Sequence, residues 1–229
     1  MGIQKNGMKL THQVIDTFDG GHNMMNWGNA YIRPSAQEWS LDNGKLNPDF
    51  TIKNLGQLGN QWPSKEYFPT VGANHKSIDM NGLDDSLVID LRLPISDNDK
   101  HNIINWADII LDSGTSEHVS VQYYNWKNLY DICRVGGYMV HILPKVGYWE
   151  NHCEFKYSIN FFTELADKLN YKVVELTEDI SDVVRGDVLC ILQKQSDNGF
   201  ISELEFSKLP IYKEPKKGKD LALYPYAYK

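Results

Sequence analysis

The chain has 229 residues, of which 41% are hydrophobic, and 23 basic residues stand against 30 acidic ones for a formal net charge of −7. That supplies the core of one α/β domain with extensions and argues against wholesale disorder, while the acidic balance and the lack of a long basic block argue against a nucleic-acid groove. Three cysteines with no C-x-x-C pair support neither a disulfide framework nor a zinc ribbon. No apolar run reaches the ~20 residues that span a bilayer, and nothing resembles a signal peptide, so the reading is a soluble, cytoplasmic protein.

Residues 1–49 read as an irregular N-terminal extension or lid, punctuated by Gly20-Gly21, Gly28, Pro34 and Pro48, with one short helix over Ser35–Leu41. From Phe50 the alternation of α/β units begins. Strands are expected at Phe50–Leu55, His75–Asp79, Leu87–Leu91, Ala107–Asp112, Gly137–Leu143, Tyr171–Glu175 and Val188–Gln193. Helices are expected at Val119–Arg134 and at Ile159–Leu169, where Phe161, Phe162, Leu165, Ala166 and Leu169 recur at helical spacing before Asn170. No crossover helix is legible between Leu55 and His75, which Trp62-Pro63 and Phe68-Pro69 interrupt. The domain is placed at 50–195 and a polar, Tyr-rich tail at 196–229. The pattern predicts a doubly wound, mostly parallel seven-stranded sheet, whose strand carboxyl ends are where ligands bind.

Four places give the chain a resemblance to the class I S-adenosylmethionine-dependent methyltransferases. They are the glycine loop Asn54-Leu55-Gly56-Gln57-Leu58-Gly59-Asn60, the strand and acid His75 to Asp79, the strand and acid Leu87-Val88-Ile89-Asp90, and the helix–turn–strand signature Leu129 to Gly137. The resemblance implies a Rossmann-like methyltransferase fold and S-adenosylmethionine as cofactor. It implies that Gly56 and Gly59 let backbone N–H groups approach the cofactor's amino-acid part. Asp79 would then accept the ribose hydroxyls, Asp90 the adenine amino group, and Asp112 would lie beside the methionine moiety and the methyl acceptor. The loop Gly56-x-x-Gly59 is shorter than the family's usual glycine signature.

A histidine and carboxylate constellation surrounds the fourth and fifth expected strands. Glu117 and His118 follow the fourth, His141 lies within the fifth, and His152 follows it. A histidine near neutral pH suits proton removal from an oxygen or nitrogen acceptor, so His118 is the first choice of base, with Glu117 or Asp112 as its orienting partner and His152 second. His141 alternates with Val140 and Ile142 and reads equally as a hydrogen-bonded core group. No metal is expected, because no H-x-x-x-H or similar ligand spacing occurs. The expected function is methyl transfer to a small-molecule or sugar-like acceptor. The rivals are a non-catalytic scaffold with a degenerate methyltransferase fold and a metal-dependent hydrolase using the histidines. Nucleic acid and membrane are not expected partners, and the oligomeric state is left open.

Overall fold

A computed structural model describes residues 2–45 and 62–215. Its central sheet has six strands: β1 (His22–Trp27), β2 (Ala73–Ile78), β3 (Ala107–Ser113), β4 (Cys133–Pro144), β5 (Tyr171–Asp179) and β6 (Asp187–Lys194). Their order across the sheet is β2-β1-β3-β4-β6-β5. The pairings β2–β1, β1–β3 and β3–β4 are parallel, and β4–β6 and β6–β5 are antiparallel. The mostly parallel doubly wound sheet is therefore present, with six strands among the described residues rather than seven.

Helices α1 (Lys5–Ile15), α2 (Pro34–Asp42) and α3 (Ser64–Thr70) cover one face; α4 (Asp97–Ile103), α5 (Gln122–Ile132) and α6 (Ile159–Leu169) cover the other. Strand periodicity sorts the side chains between them. Met24, Ile109, Leu111, Val140 and Ile142 pack with Met8, Val14, Ala36, Tyr67 and Phe68. Met25, Trp27, Ile110, Met139 and Leu143 pack with Trp126, Leu129, Phe161, Phe162 and Leu165. All seven residues of β3 are buried, as a strand covered on both faces requires.

The best-read element is α6, with the predicted limits. Ser158 caps it by accepting the Phe161 N–H, and Asn170 ends it in the left-handed region at φ 53°. Gly137 is needed where β4 leaves α5: a Cβ there would sit 2.9 Å from the carbonyl oxygens of Ala107 and Arg134, where the β3–β4 register shifts.

Three expectations change. His22–Trp27 lies between β2 and β3, so the N-terminal region belongs to the domain and the boundary at residue 50 does not hold. The expected strand Leu87–Leu91 shrinks to one parallel bridge, Ile78 with Leu87. The crossover to β2 does contain a helix, α3, which starts directly after Pro63 and ends within a residue of Pro69, whose missing N–H forgoes one intrahelical bond. The tail also packs in part. A helix, α7 (Glu203–Phe206), carries a capping box, Phe206 and Leu209 are buried, and Tyr212-Lys213 pairs with Phe155-Lys156. The expected strand Phe50–Leu55 and the loop with Gly56 and Gly59 lie outside the described residues. No helix among the described residues is long and apolar enough to cross a membrane.

Candidate functional site

The carboxyl ends of β1, β2, β3 and β4 lie side by side, since Trp27 is in register with Ile78 and Asp112, and Asp112 with His141. Two clusters of polar residues stand on this edge.

At the ends of β1 and β2, Gly28 turns the chain at φ 81° and donates its N–H to the Ile78 carbonyl at 2.8 Å. That left-handed conformation suits glycine. Asp79 follows β2. Its Oδ2 accepts the Asn29 N–H at 3.0 Å and its Oδ1 the Asn81 N–H at 3.1 Å, and the half-buried carboxylate keeps further lone pairs. Asn29 and Tyr31 each donate to Asp84 Oδ2 at 2.7 Å. Partial burial raises the Asp84 carboxyl, but those bonds and Lys65 bring it below its ordinary value overall. Burial, reinforced by Asp84, pushes the Tyr31 phenol up to about 12.

The second cluster lies at the ends of β3 and β4 under the start of α5. Asp112 is fully buried. It accepts the Ser116 N–H at 3.2 Å and the Ser116 hydroxyl at 2.6 Å, and its Oδ2 lies 3.1 Å from His141 Nδ1. Asn125 donates to Ser116 Oγ at 2.8 Å and accepts from Trp27 Nε1 at 2.8 Å. Thr115 Oγ1 donates to the Trp27 carbonyl, tying this cluster to the end of β1. Gln122 donates to the carbonyls of Ser116 and Val119, both at 2.7 Å, and its Oε1 accepts from Tyr157 and Trp126. The turn Ser116–His118 is thereby fixed from both sides.

That turn presents Glu117 and His118. Glu117 is 1% exposed, and its Oε1 lies 3.6 Å from His118 Nε2. Burial, and secondarily Asp112, push the Glu117 carboxyl well above its usual range. Burial pulls His118 down to about 4. The His152 ring, on the loop after β4, lies 5.3 Å from the His118 ring and 4.7 Å from that of Trp149, and burial lowers its pKa too.

The structure thus brings Glu117, His118 and His152 together and sets Asp79 beside the β1 turn. It does not support the other acids in their expected roles. Both Asp90 oxygens are engaged by Arg92, through Nε at 2.9 and 3.2 Å and Nη2 at 2.7 Å, so this carboxylate is not open to an adenine amino group. Asp112 is enclosed and pairs with His141, not His118, and its bonds to Ser116 shape the loop. His141 is the hydrogen-bonded core group that its alternation allowed. Trp39, in the N-terminal stretch read as an extension or lid, packs on His12, with ring centroids 5.5 Å apart. Gly28, Asn29, Gln122 and Asn125 were missed. An open groove of about 600 Å3 lined by His12, Asp16, His22 and Lys45 lies at the opposite edge, where β1 begins.

No protein-family model matches the sequence, and no curated protein matches it. Among solved structures, the chain is similar to the Burkholderia thailandensis 1,6-didemethyltoxoflavin-N1-methyltransferase with bound 1,6-didemethyltoxoflavin and S-adenosylhomocysteine. The TM-score is 0.51 at 8% identity, covering 84% of this chain and 80% of that one. The fold is methyltransferase-like. Also similar are the N-methyltransferase NodS of Bradyrhizobium japonicum WM9 (TM-score 0.46, 9% identity, 83% of this chain and 86% of that one) and a SAM dependent methyltransferase from Aquifex aeolicus (0.46, 12%, 82% and 89%).

Proposed function

We propose that the protein is a cytoplasmic enzyme that transfers a methyl group from S-adenosylmethionine to a small-molecule or sugar-like acceptor. The observation that carries this is the half-buried Asp79 carboxylate at the end of β2, beside the positive-φ Gly28 turn of β1 and with lone pairs free. A ligand with a vicinal diol finds there two acceptor oxygens whose position two backbone N–H groups already fix. The resemblance of the sequence to class I methyltransferases and the likeness of the fold support the same reading. Because the turn after β1 is Gly28-Asn29, the role first given to Gly56 and Gly59 passes to Gly28.

S-adenosylmethionine supplies an electrophilic methyl group on a sulfonium, displaced in line by the acceptor. Asp79 holds the ribose end, and the Gly28 turn lets the chain approach without a Cβ. Gln122 and Asp112 hold the turn carrying Glu117 and His118 rigid across the same edge. His118, kept neutral by burial beside Glu117, would orient the acceptor by accepting its hydrogen bond, being too weak a base at about 4 to hold its proton, with His152 closing the far side.

Calorimetric titration with S-adenosylhomocysteine tests this. One-to-one binding that weakens at least tenfold in Asp79→Ala is the expected result. Binding unaffected by Asp79→Ala would remove the ribose role, and no binding to folded protein would remove the cofactor.

A further inference from the structure

One atom of the site has no partner in the reading above. Glu117 is 1% exposed, and its Oε2 makes no hydrogen bond. A buried carboxylate oxygen without a donor is costly, on the order of 1–3 kcal/mol even when only hydrogen bonding is lost. Such atoms in a native fold call for an explanation, an ion among them. The nearby lysine does not supply it: Lys156 is paired with Glu214 at 3.0 Å.

The carboxylate that carries that oxygen stands among metal donors. One ligand atom each from Glu117, His118 and His152 falls within 4.8 Å of the others. The set joins two loops, the Ser116–His118 turn after β3 and the loop after β4, so it is assembled by the fold and has no spacing signature in the sequence. Gln122 fixes the turn through the carbonyls of Ser116 and Val119, and Trp149, itself donating to Asp187 at 2.8 Å, backs the His152 ring.

We propose that Glu117, His118 and His152 form a binding site for a divalent transition-metal ion such as zinc, placed at the acceptor side of the cleft. Two imidazoles and one carboxylate are a borderline donor set that suits such ions better than magnesium or calcium. Donors about one such ion lie roughly 3.4 Å apart, given bonds of about 2.0–2.2 Å. The Glu117–His118 pair at 3.6 Å is already near that spacing. The other pairs lie within 4.8 Å, so binding has to draw His152 inward.

Three protein ligands leave a coordination position open, the arrangement of catalytic rather than structural sites. Resting on the methyl-transfer reading, that position takes the acceptor's hydroxyl oxygen, orients it and lowers its pKa. The O–H proton then leaves to solvent, and the O–C bond forms as the C–S bond of the sulfonium breaks and sulfur keeps the electron pair. His118 and Glu117 are then ligands, and the ion does the work otherwise asked of a histidine base.

The test uses the full chain, stripped with a chelator and dialysed, titrated with Zn2+ by calorimetry and with Co2+ by visible absorbance. Saturable one-to-one binding at micromolar or tighter Kd is expected, weakened at least tenfold in His152→Ala and in Glu117→Gln. Both variants should keep the wild-type circular dichroism, His152 because it is half-buried on a loop and Glu117→Gln because it keeps the shape. No saturable binding, or binding equally tight in both variants, would overturn the proposal. A parallel titration of the stripped protein with S-adenosylhomocysteine reports on the cofactor reading alone, so the two claims stand or fall separately.

Discussion

Where β3 and β4 end, the polar side chains are buried and bonded to one another; where β1 and β2 end, they are half exposed and bonded mainly to backbone. His141, Asp112, Ser116, Asn125 and Trp27 are joined in that order by hydrogen bonds under α5, with only His141 Nε2 lacking a partner. Asp79, by contrast, takes two backbone N–H groups and faces outward. The first arrangement is how a fold holds a loop still, since a buried polar network is stabilising only when its members are satisfied. The second is how a fold keeps a carboxylate available. A titratable residue at a strand end is thus not a ligand contact by position alone: Asp112 is level with Ile78, one residue short of Asp79, and the two acids do different things.

Mutations should separate the two regions. Asp112→Ala removes the acceptor of the Ser116 N–H and hydroxyl and the partner of His141 Nδ1 in the core, and should lower the unfolding free energy by about 4 kcal/mol in a urea titration; a loss below about 1 kcal/mol would mean that the network does not hold the loop.

Acid should act through another buried group. Burial holds His12 at about 4, against 6.5 when exposed, although Asp16 pulls it upward. The unfolded chain therefore binds the extra proton between those values, and stability, complete above about pH 6.5, falls as pH drops toward 4. The His12 contribution is about 3 kcal/mol, read as the difference between wild type and His12→Gln in urea midpoints across that range. Asp187, raised to about 6 by burial, works in the opposite sense and makes the net slope shallower.

On the open side, Asp79→Ala should weaken S-adenosylhomocysteine binding by about 2 kcal/mol, as for loss of charge-assisted hydrogen bonds. It should lower stability by only about 1 kcal/mol, for the two backbone N–H bonds given up; a loss as large as that of Asp112→Ala would erase the contrast. Gly28→Ala, forced to hold φ 81°, should cost about 1 kcal/mol of stability in the same titration, and a neutral effect would show that the turn relaxes freely.

The half of the chain from Ala107 onward was legible because its signals are local. An apolar run, a small-residue loop, a glycine pair and the 3.6-residue stripe of α6 each name their element. The strand β1 was not. His22-Asn23-Met24-Met25-Asn26-Trp27 has no β-branched residue and carries a fully buried Asn26, so its strand character comes from packing between β2 and β3. Reading the first strand at Phe50 followed from that, and so did seeking the glycine turn at Gly56 and Gly59. Asp79 was named because an acid after a strand pattern is visible in sequence. Gln122 and Asn125 were not, since amides on a helix usually face solvent and only the fold shows these two buried. The grouping of Glu117, His118 and His152 was half visible: their loops were named as neighbours, but which histidine turns inward was settled by the Asp112–His141 pair.

Amide hydrogen exchange with and without S-adenosylhomocysteine tests the central claim most directly, because it asks where a ligand sits as well as whether it binds. The account predicts slowed exchange at Gly28 to Tyr31 and around Asp79 and Asn81, at the carboxyl ends of β1 and β2. Unchanged exchange there, or slowing confined to the groove of His12, Asp16, His22 and Lys45 at the opposite edge, would contradict it.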